Sequence, residues 1–348
     1  MEKIKAAVIG LGRIASLLEE DTLREKPCTH AGAISANSDC VLAAGCDIDE
    51  ERRKLFAEKW NVPVYSDARE MLAFHKPQIL SIATHPDSHY KYCRLAAEMG
   101  VPVVICEKPL ADNIAQARKI AKLAQSQKPI IITNHERRYS CDYIRAKEIL
   151  NEGNLGSLAV VRAVLYMGKT RRLIDQFWHD GTHLADAIMF LTDGTLKHKR
   201  SWGTKLTSRS GTAWLEGKLE RRDSHKGTKN TKEKEEQYHC NPTSIPAVIE
   251  IGSMRDHLVF EIEFSCEKGR LRIGNGVFEV LESVPSPYAE KFRSLRSTGE
   301  TFSGLTGYFA NMLKDAVACV KDPSRSPVSG AVDGLRVIEY LNSVKKWH

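Results

Sequence analysis

No stretch of the 348-residue chain approaches the ~20 consecutive apolar residues that a bilayer-spanning helix needs. Its first residues, Met1-Glu2-Lys3-Ile4-Lys5, run straight into a strand-like segment with no long apolar region or small-residue cleavage site, so no secretory leader is expected. The nine cysteines (Cys28, Cys40, Cys46, Cys93, Cys106, Cys141, Cys240, Cys266 and Cys319) never fall into C-x-x-C spacing. Their odd number and scatter argue against a disulfide framework and against a cysteine-rich zinc site. Several lie inside apolar segments, where Cys behaves as a small hydrophobe. A reducing, cytoplasmic compartment is the expectation. There is no internal repeat, and the one low-complexity tract is a charged run near Lys226–Glu236.

The net charge of +7 is concentrated rather than spread. Between Lys197 and Glu236, twelve Lys or Arg stand against six Asp or Glu, so this stretch carries +6 of the +7. It contains the polar run Glu220 to Gln237, which reads as a solvated loop without a partner. A nucleic-acid surface would need basic residues on one ordered face, interleaved with aromatics. Neither nucleic acid nor membrane is expected as a partner.

The length predicts two domains. Over the first third, short apolar runs alternate with helical patterns. Strands are expected at Ala6–Ile9, Val41–Ala44, Gln78–Ala83, Val101–Cys106 and Pro129–Thr133, with helices at about Glu50–Trp60, Asp87–Met99 and Asn113–Ser126. A short Val62–Tyr65 segment is expected to add an inner strand. Such βαβα alternation with nearly continuous apolar strands predicts a doubly wound parallel sheet covered by helices. After Asn134 the pattern changes. A helix from Tyr139 to Asn151 is followed by β-rich runs from Leu158 to Leu281 joined by Gly-containing turns, which predicts mostly antiparallel pairing in an α+β second domain. Two helices, about Gly304–Val320 and Val328–Lys345, close the chain and are candidates to pack back on the first domain. The expected division is 1–134 and 135–348.

Gly10-Leu11-Gly12-Arg13-Ile14-Ala15 follows the first strand and precedes a predicted helix, the context that a dinucleotide fingerprint requires. Gly10 permits the tight turn, Gly12 admits a pyrophosphate to the backbone, and Ala15 permits close helix–strand packing. Asp47 closes the second strand, where an acid accepts hydrogen bonds from the adenosine ribose. This favours NAD over NADP, although Arg52 and Arg53 lie close enough in sequence to meet a 2′-phosphate. The 32 residues from Ala15 to Asp47 exceed the usual spacing of about 20, which predicts an insertion from Glu19 to Cys28. The competing reading of Asp47 is a helix N-cap.

With Glu107-Lys108-Pro109 added, the chain resembles the glucose-fructose oxidoreductase / inositol dehydrogenase / MocA family over nearly its whole length. The resemblance rests on Gly10 to Ala15, Thr84-His85-Pro86 with His89, Glu107-Lys108-Pro109, and His179 to Asp186. It implies a Rossmann domain followed by an α+β domain with a large, mostly antiparallel open sheet. The implied activity is NAD(P)-dependent hydride transfer between the nicotinamide and a sugar, cyclitol or related polyol or keto compound. It also implies a homodimer or homotetramer built through the open sheet face.

Residue by residue, the resemblance assigns Lys108 to the reacting oxygen, where an ammonium stabilises developing charge. Thr84, His85, Pro86, His89 and Glu107 join Gly10, Leu11, Gly12, Arg13, Ile14 and Asp47 around the cofactor. His183 is the expected acid/base, because imidazole titrates near working pH. Asp180 orients it or holds a substrate hydroxyl, and Asp186 fixes its ring one turn along. The family pattern has an aspartate four residues before the histidine, whereas this chain has His179 there and Asp180 one residue later. The roles of His179, Asp180 and His183 therefore stay open among the three. A zinc site from His179, His183 and a carboxylate is the rival. Arg138, in Asn134-His135-Glu136-Arg137-Arg138-Tyr139, is a substrate contact or one half of an interdomain salt bridge. Two other functional classes fit the pattern: a glycoside hydrolase using transient oxidation, and a non-catalytic nucleotide-binding sensor.

Overall fold

The computed structural model describes residues 2–125, 129–168, 171–221 and 244–345. Most of the charged run from Glu220 to Gln237, together with Cys240, lies outside them. The chain divides into two compact units, Met1–Ile144 with Ser303–Asn342, and Arg145–Phe302 with Ser343–His348.

The first unit is built on six parallel strands: β1 (Ile4–Ile9), β2 (Cys40–Cys46), β3 (Val64–Tyr65), β4 (Ile79–Ile82), β5 (Val103–Glu107) and β6 (Ile130–Asn134). They lie in the order β3-β2-β1-β4-β5-β6, the doubly wound arrangement expected. Every residue of β4 and β5 is buried, which is why these strands read as unbroken apolar runs: helices cover both faces. Those helices are α1 (His30–Ala36), α2 (Glu50–Trp60), α3 (Ala68–His75), α4 (His89–Glu98) and α5 (Ile114–Gln125). Their starts are written locally. Thr29, Asp49 and Asp67 each cap a helix by accepting the backbone N–H of Gly32, Arg52 and Glu70.

Two expectations need correction. The Val62–Tyr65 segment is not an inner strand: β3 pairs only with β2 and forms the sheet edge. The chain winds outward through β1, β2 and β3 and then returns to the far side of β1 for β4, leaving the third strand outermost. The glycine turn also does not open directly into a helix. After Gly12 the chain makes a single turn (Ser16 N–H to Gly12 O, 3.1 Å) and a 3-10 segment at Leu17–Glu20, and α1 begins only at His30. His30 N–H then donates to Ile14 O at 3.2 Å and Ala31 N–H to Ala15 O at 2.9 Å. A regular helix would make these bonds from positions four residues on, so twelve residues have been looped out of what is otherwise one continuous helix. Subtracting them from the 32 between Ala15 and Asp47 leaves 20, the spacing typical of the fingerprint.

In the second unit, α6 (Cys141–Glu152) leads to β7 (Leu158–Tyr166), α7 (Leu173–His179) and α8 (Gly181–Thr192). Seven further strands follow: β8 (Gly194–Gly203), β9 (Gly211–Arg221), β10 (Ser244–Ser253), β11 (Val259–Cys266), β12 (Gly269–Gly274), β13 (Val277–Pro285) and β14 (Arg293–Ser297). The eight strands form one sheet, β14-β13-β12-β11-β7-β10-β9-β8, antiparallel throughout except for the β10–β7 pair. Period-2 alternation separates its faces. Phe260, Ile262 and Phe264 of β11 are buried, and α8 packs on this strand. The intervening Glu261 and Glu263 join a charged ladder with Arg162, Arg270, Arg272 and Glu279 on the other face. β14, Arg-Ser-Leu-Arg-Ser, has no apolar alternation and gave no strand signal in the sequence.

The final helices α9 (Tyr308–Lys321) and α10 (Ala331–Lys345) follow. Phe309, Met312, Leu313, Ala316 and Val317 of α9 belong to the same core as Val8, Ile105 and Ile132 of the parallel sheet. The residues just after β6 are tied to this end of the chain. Tyr139 Oη donates to Asp315 at 3.1 Å, Asn311 Nδ2 donates to Tyr139 O at 3.0 Å, and Cys141 N–H donates to Thr306 O at 2.9 Å. The first unit accordingly runs to Ile144, ten residues past the junction read from the sequence at Asn134.

Candidate functional site

Gly10, Thr84 and Lys108 directly follow or lie within two residues of β1, β4 and β5, three neighbours at the C-terminal edge of the parallel sheet. The chain reverses its winding between β1 and β4, and ligands of open α/β sheets bind outside such a switch point. Gly10 has φ +85°, and a Cβ there would lie 2.8 Å from the carbonyl of Ala83 and from Thr84 Cγ2. Only glycine permits that turn. A Cβ at Gly12 would meet nothing nearer than Arg52 Nη1 at 3.8 Å. The backbone over Gly12 is open, and a pyrophosphate fits the cradle.

Asp47 is buried, and its carboxylate clasps the turn: Oδ2 accepts Leu11 N–H at 2.7 Å and Oδ1 accepts Asp49 N–H at 2.9 Å. The α2 cap is Asp49, which settles the competing reading of Asp47. Arg52 Nη1 stands 3.8 Å from Asp47 Oδ2 with its side chain half exposed, while Arg53 donates to the carbonyls of Asp47 and Ile48 at 2.9 and 3.0 Å. Leu11 is buried in the core, Arg13 is exposed and Ile14 is partly exposed on the turn.

The loop after β4 is closed by Ser88 Oγ, which donates to Thr84 Oγ1 at 2.7 Å and lies 2.8 Å from His85 O. His85 is exposed and Pro86 starts a 3-10 turn. His89 is fully buried between two carbonyls, Nε2 at 3.1 Å from Thr84 O and Nδ1 at 3.2 Å from Leu110 O. Burial lowers its pKa and favours the neutral ring. Its place is structural: it ties the Thr84 loop to the segment after Lys108. No group of three metal-binding side chains occurs among the described residues.

At the end of β5, Glu107 is buried and Lys108 half exposed. The Glu107 carboxylate receives His30, Asn134 and the Lys108 backbone N–H. Burial pushes its pKa up, but the hydrogen bond and charge of His30, the charge of Lys108 and the bond from Asn134 outweigh it and hold the carboxyl below its ordinary range. Glu136, two residues beyond β6, feels the opposite balance. Burial raises its pKa, opposed by the charges of Arg137 and Lys108 and reinforced by Glu107. Arg138 is buried, and its salt bridge is not the interdomain one expected: its guanidinium is committed within this unit to Asp333 (3.3 Å) and Val328 O (3.2 Å). Sequence reasoning passed over His30 and Glu136. His30 lies beyond the insertion, and the only signal for Glu136 was its place in the junction motif.

In the second unit, α7 and α8 meet at a corner. Gly181 is required there because a Cβ would lie 2.3 Å from Phe177 Cδ2. Asp180 at the corner receives His179 Nδ1 at 2.9 Å, with Arg171 at 4.0 Å, and its carbonyl accepts His183 N–H at 3.1 Å. His179 is 54% exposed, whereas His183 is half buried and Asp186 fully buried. His183 and Asp186, three residues apart on α8, share a helix face. His179, Asp180 and His183 thus all stand at or beside this corner.

Eight of the cysteines are described and all are free. Burial pushes the thiols of Cys40 and Cys46 up to about 11 and about 12, leaving them as inert core residues. No helix among the described residues is long and apolar enough to cross a membrane.

Residues 4–135 match the GFO_IDH_MocA model, described as an oxidoreductase family with an NAD-binding Rossmann fold. D-glucoside 3-dehydrogenase of Escherichia coli K12 is 29% identical over 161 residues, covering 46% of this chain and 42% of that protein. Myo-inositol 2-dehydrogenase of Thermotoga maritima is 26% identical over 160 residues, covering 46% and 44%. The matched stretches thus span less than half of either relative. Among solved structures, a myo-inositol 2-dehydrogenase from Lactobacillus plantarum superposes with a TM-score of 0.70 at 19% identity, over 99% of this chain and 97% of that one. That likeness is one of fold.

Proposed function

We propose, for this chain as a member of the Gfo/Idh/MocA oxidoreductase family through residues 4–135, that it is an NAD-dependent dehydrogenase acting on the CH–OH group of a sugar or cyclitol. The observation that carries the reading is the convergence of the glycine turn, the Thr84 loop and the Glu107-anchored Lys108 on three neighbouring strand ends at the switch point. The relatives named for glucoside and inositol oxidation supply the substrate class.

Gly10, Gly12 and the turn through Ile14 would hold the pyrophosphate, and Asp47 the adenosine ribose. The carboxylate of Asp47 disfavours a 2′-phosphate through like charge, which supports NAD. The nicotinamide, when bound, accepts or returns the hydride. The protein's own work is proton handling and charge stabilisation. Lys108 donates a hydrogen bond to the reacting oxygen and stabilises the charge that develops there. His183 takes the hydroxyl proton as general base and returns it in the reverse direction. Asp180 and His179 form an adjacent pair suited to hold a neighbouring hydroxyl. The charged face of the eight-stranded sheet is the surface proposed for self-association.

The test is absorbance at 340 nm with NAD or NADP and a panel of glucosides, free sugars and inositols. NADH formation on at least one of them, sharply lowered in Lys108→Ala while NADH still binds, is the expected result. NADH binding without turnover on any panel member would point instead to a sensor. Glycoside cleavage without net NADH would point to a hydrolase using transient oxidation.

A further inference from the structure

The twelve-residue insertion displaces His30 in sequence but not in space. The bonds His30 N–H to Ile14 O and Ala31 N–H to Ala15 O restore the helix ladder. His30 therefore sits one turn past the glycine turn, with its side chain fully buried. Nε2 lies 2.9 Å from Glu107 Oε1. Asn134 Nδ2 donates to the same oxygen at 2.6 Å, and the other oxygen, Oε2, accepts the Lys108 backbone N–H at 3.2 Å. An ionised carboxylate only accepts, so Nε2 carries the proton in this contact. The ring is held edge-on against Phe309, centroids 5.4 Å apart.

The insertion fixes both walls of this site. Glu19 accepts Thr29 Oγ1–H at 2.6 Å and Cys28 N–H at 3.2 Å, securing the start of α1. Glu25 accepts Thr306 N–H at 2.7 Å, Thr306 Oγ1–H at 2.8 Å and Gly307 N–H at 2.6 Å, securing the start of α9 and with it Phe309.

We propose that His30 is a positioning residue for Lys108: it fixes the Glu107 carboxylate, which in turn fixes the backbone from which the Lys108 ammonium projects. This rests on the dehydrogenase reading for the role of Lys108. Glu107 is thereby assigned an internal task, since its oxygens face His30, Asn134 and the Lys108 amide. The other ionisable groups close enough to influence it are Lys108 itself, Cys106 before it, His89 on α4 and Glu136 after β6.

The test compares His30→Leu, which removes the donor at similar volume, with His30→Gln, whose amide can still donate. In His30→Leu, kcat is expected to fall roughly 10- to 100-fold, as displacement of a positioned group can produce, with KM and the Kd for NADH within threefold. His30→Gln should recover most of the loss. In protein labelled with 15N-lysine, the Lys108 amide resonance, assigned through Lys108→Arg, should shift in His30→Leu and return towards its original place in His30→Gln. Should His30→Leu not fold, Asn134→Leu removes the companion donor and is expected to give the same split.

Unchanged kcat in a folded His30→Leu, a loss shared equally by NADH affinity, or an unmoved Lys108 amide would each overturn the proposal. If the parent protein turns over nothing on the panel, the dehydrogenase reading falls, while the amide shift still decides whether His30 holds the Lys108 turn.

Discussion

The candidate residues of the two units are held in different ways. In the first unit the anchors are buried and bound to backbone: Asp47 grips the Leu11 amide, and Glu107 grips the Lys108 amide. In the second unit the corresponding groups stand on a helix corner, where His179 is 54% exposed and pairs with Asp180. A buried carboxylate bonded to a backbone amide leaves little freedom, and losing its partner costs the full desolvation of what remains. A solvent-facing pair is screened and contributes little. The first unit is thus preorganised to hold a fixed ligand.

The sharpest challenge to this contrast is His183→Ala. As the proposed general base, its loss is expected to lower kcat about 10²- to 10⁴-fold, measured at saturating cofactor. A small loss there, with a large one in Asp180→Asn, would move the acid/base role to the exposed pair. Lys108→Ala is expected to lower kcat about 10²- to 10³-fold while NADH fluorescence titration gives a Kd within a factor of about two. A Kd that rises in step with the loss of turnover would place Lys108 in cofactor binding instead.

Asp47→Ala should weaken NADH binding about tenfold, equivalent to 1.4 kcal/mol, and narrow any preference over NADPH. An unchanged preference would shift cofactor discrimination to Arg52. A smaller effect is expected from pH. The folded pKa of Glu107 lies below its unfolded value of 4.5, so the stability it confers is complete above about pH 4.5 and is lost as pH falls through the folded pKa. Thermal melts of Glu107→Gln should therefore lie below the parent at neutral pH and converge with it in acid; a gap that stayed constant would show that Glu107 is not ionised in the fold. The smallest effect is expected from His179→Ala, whose exposed pair is worth at most ~1 kcal/mol. A larger drop in a urea melt would mean the corner is as tightly built as the glycine turn.

The sequence by itself determined the parallel sheet, because strands buried on both faces must be apolar throughout, and it determined the glycine turn, because a positive φ at Gly10 requires that residue. It also singled out Lys108 and His183 as candidates and located the insertion, since each departs from or completes a local pattern. Tertiary structure alone decided the rest. That Val64–Tyr65 forms an edge follows from the order in which strands pair, which no local window contains. β14 became a strand because β13 offered it hydrogen bonds, despite its polar residues. Asp47 became a clasp on Leu11 rather than a helix cap, and His30 became the partner of Glu107 across 77 residues. Both outcomes depend on distances between elements remote in the chain, and those distances exist only once the sheet has closed and the insertion has been looped out of the first helix.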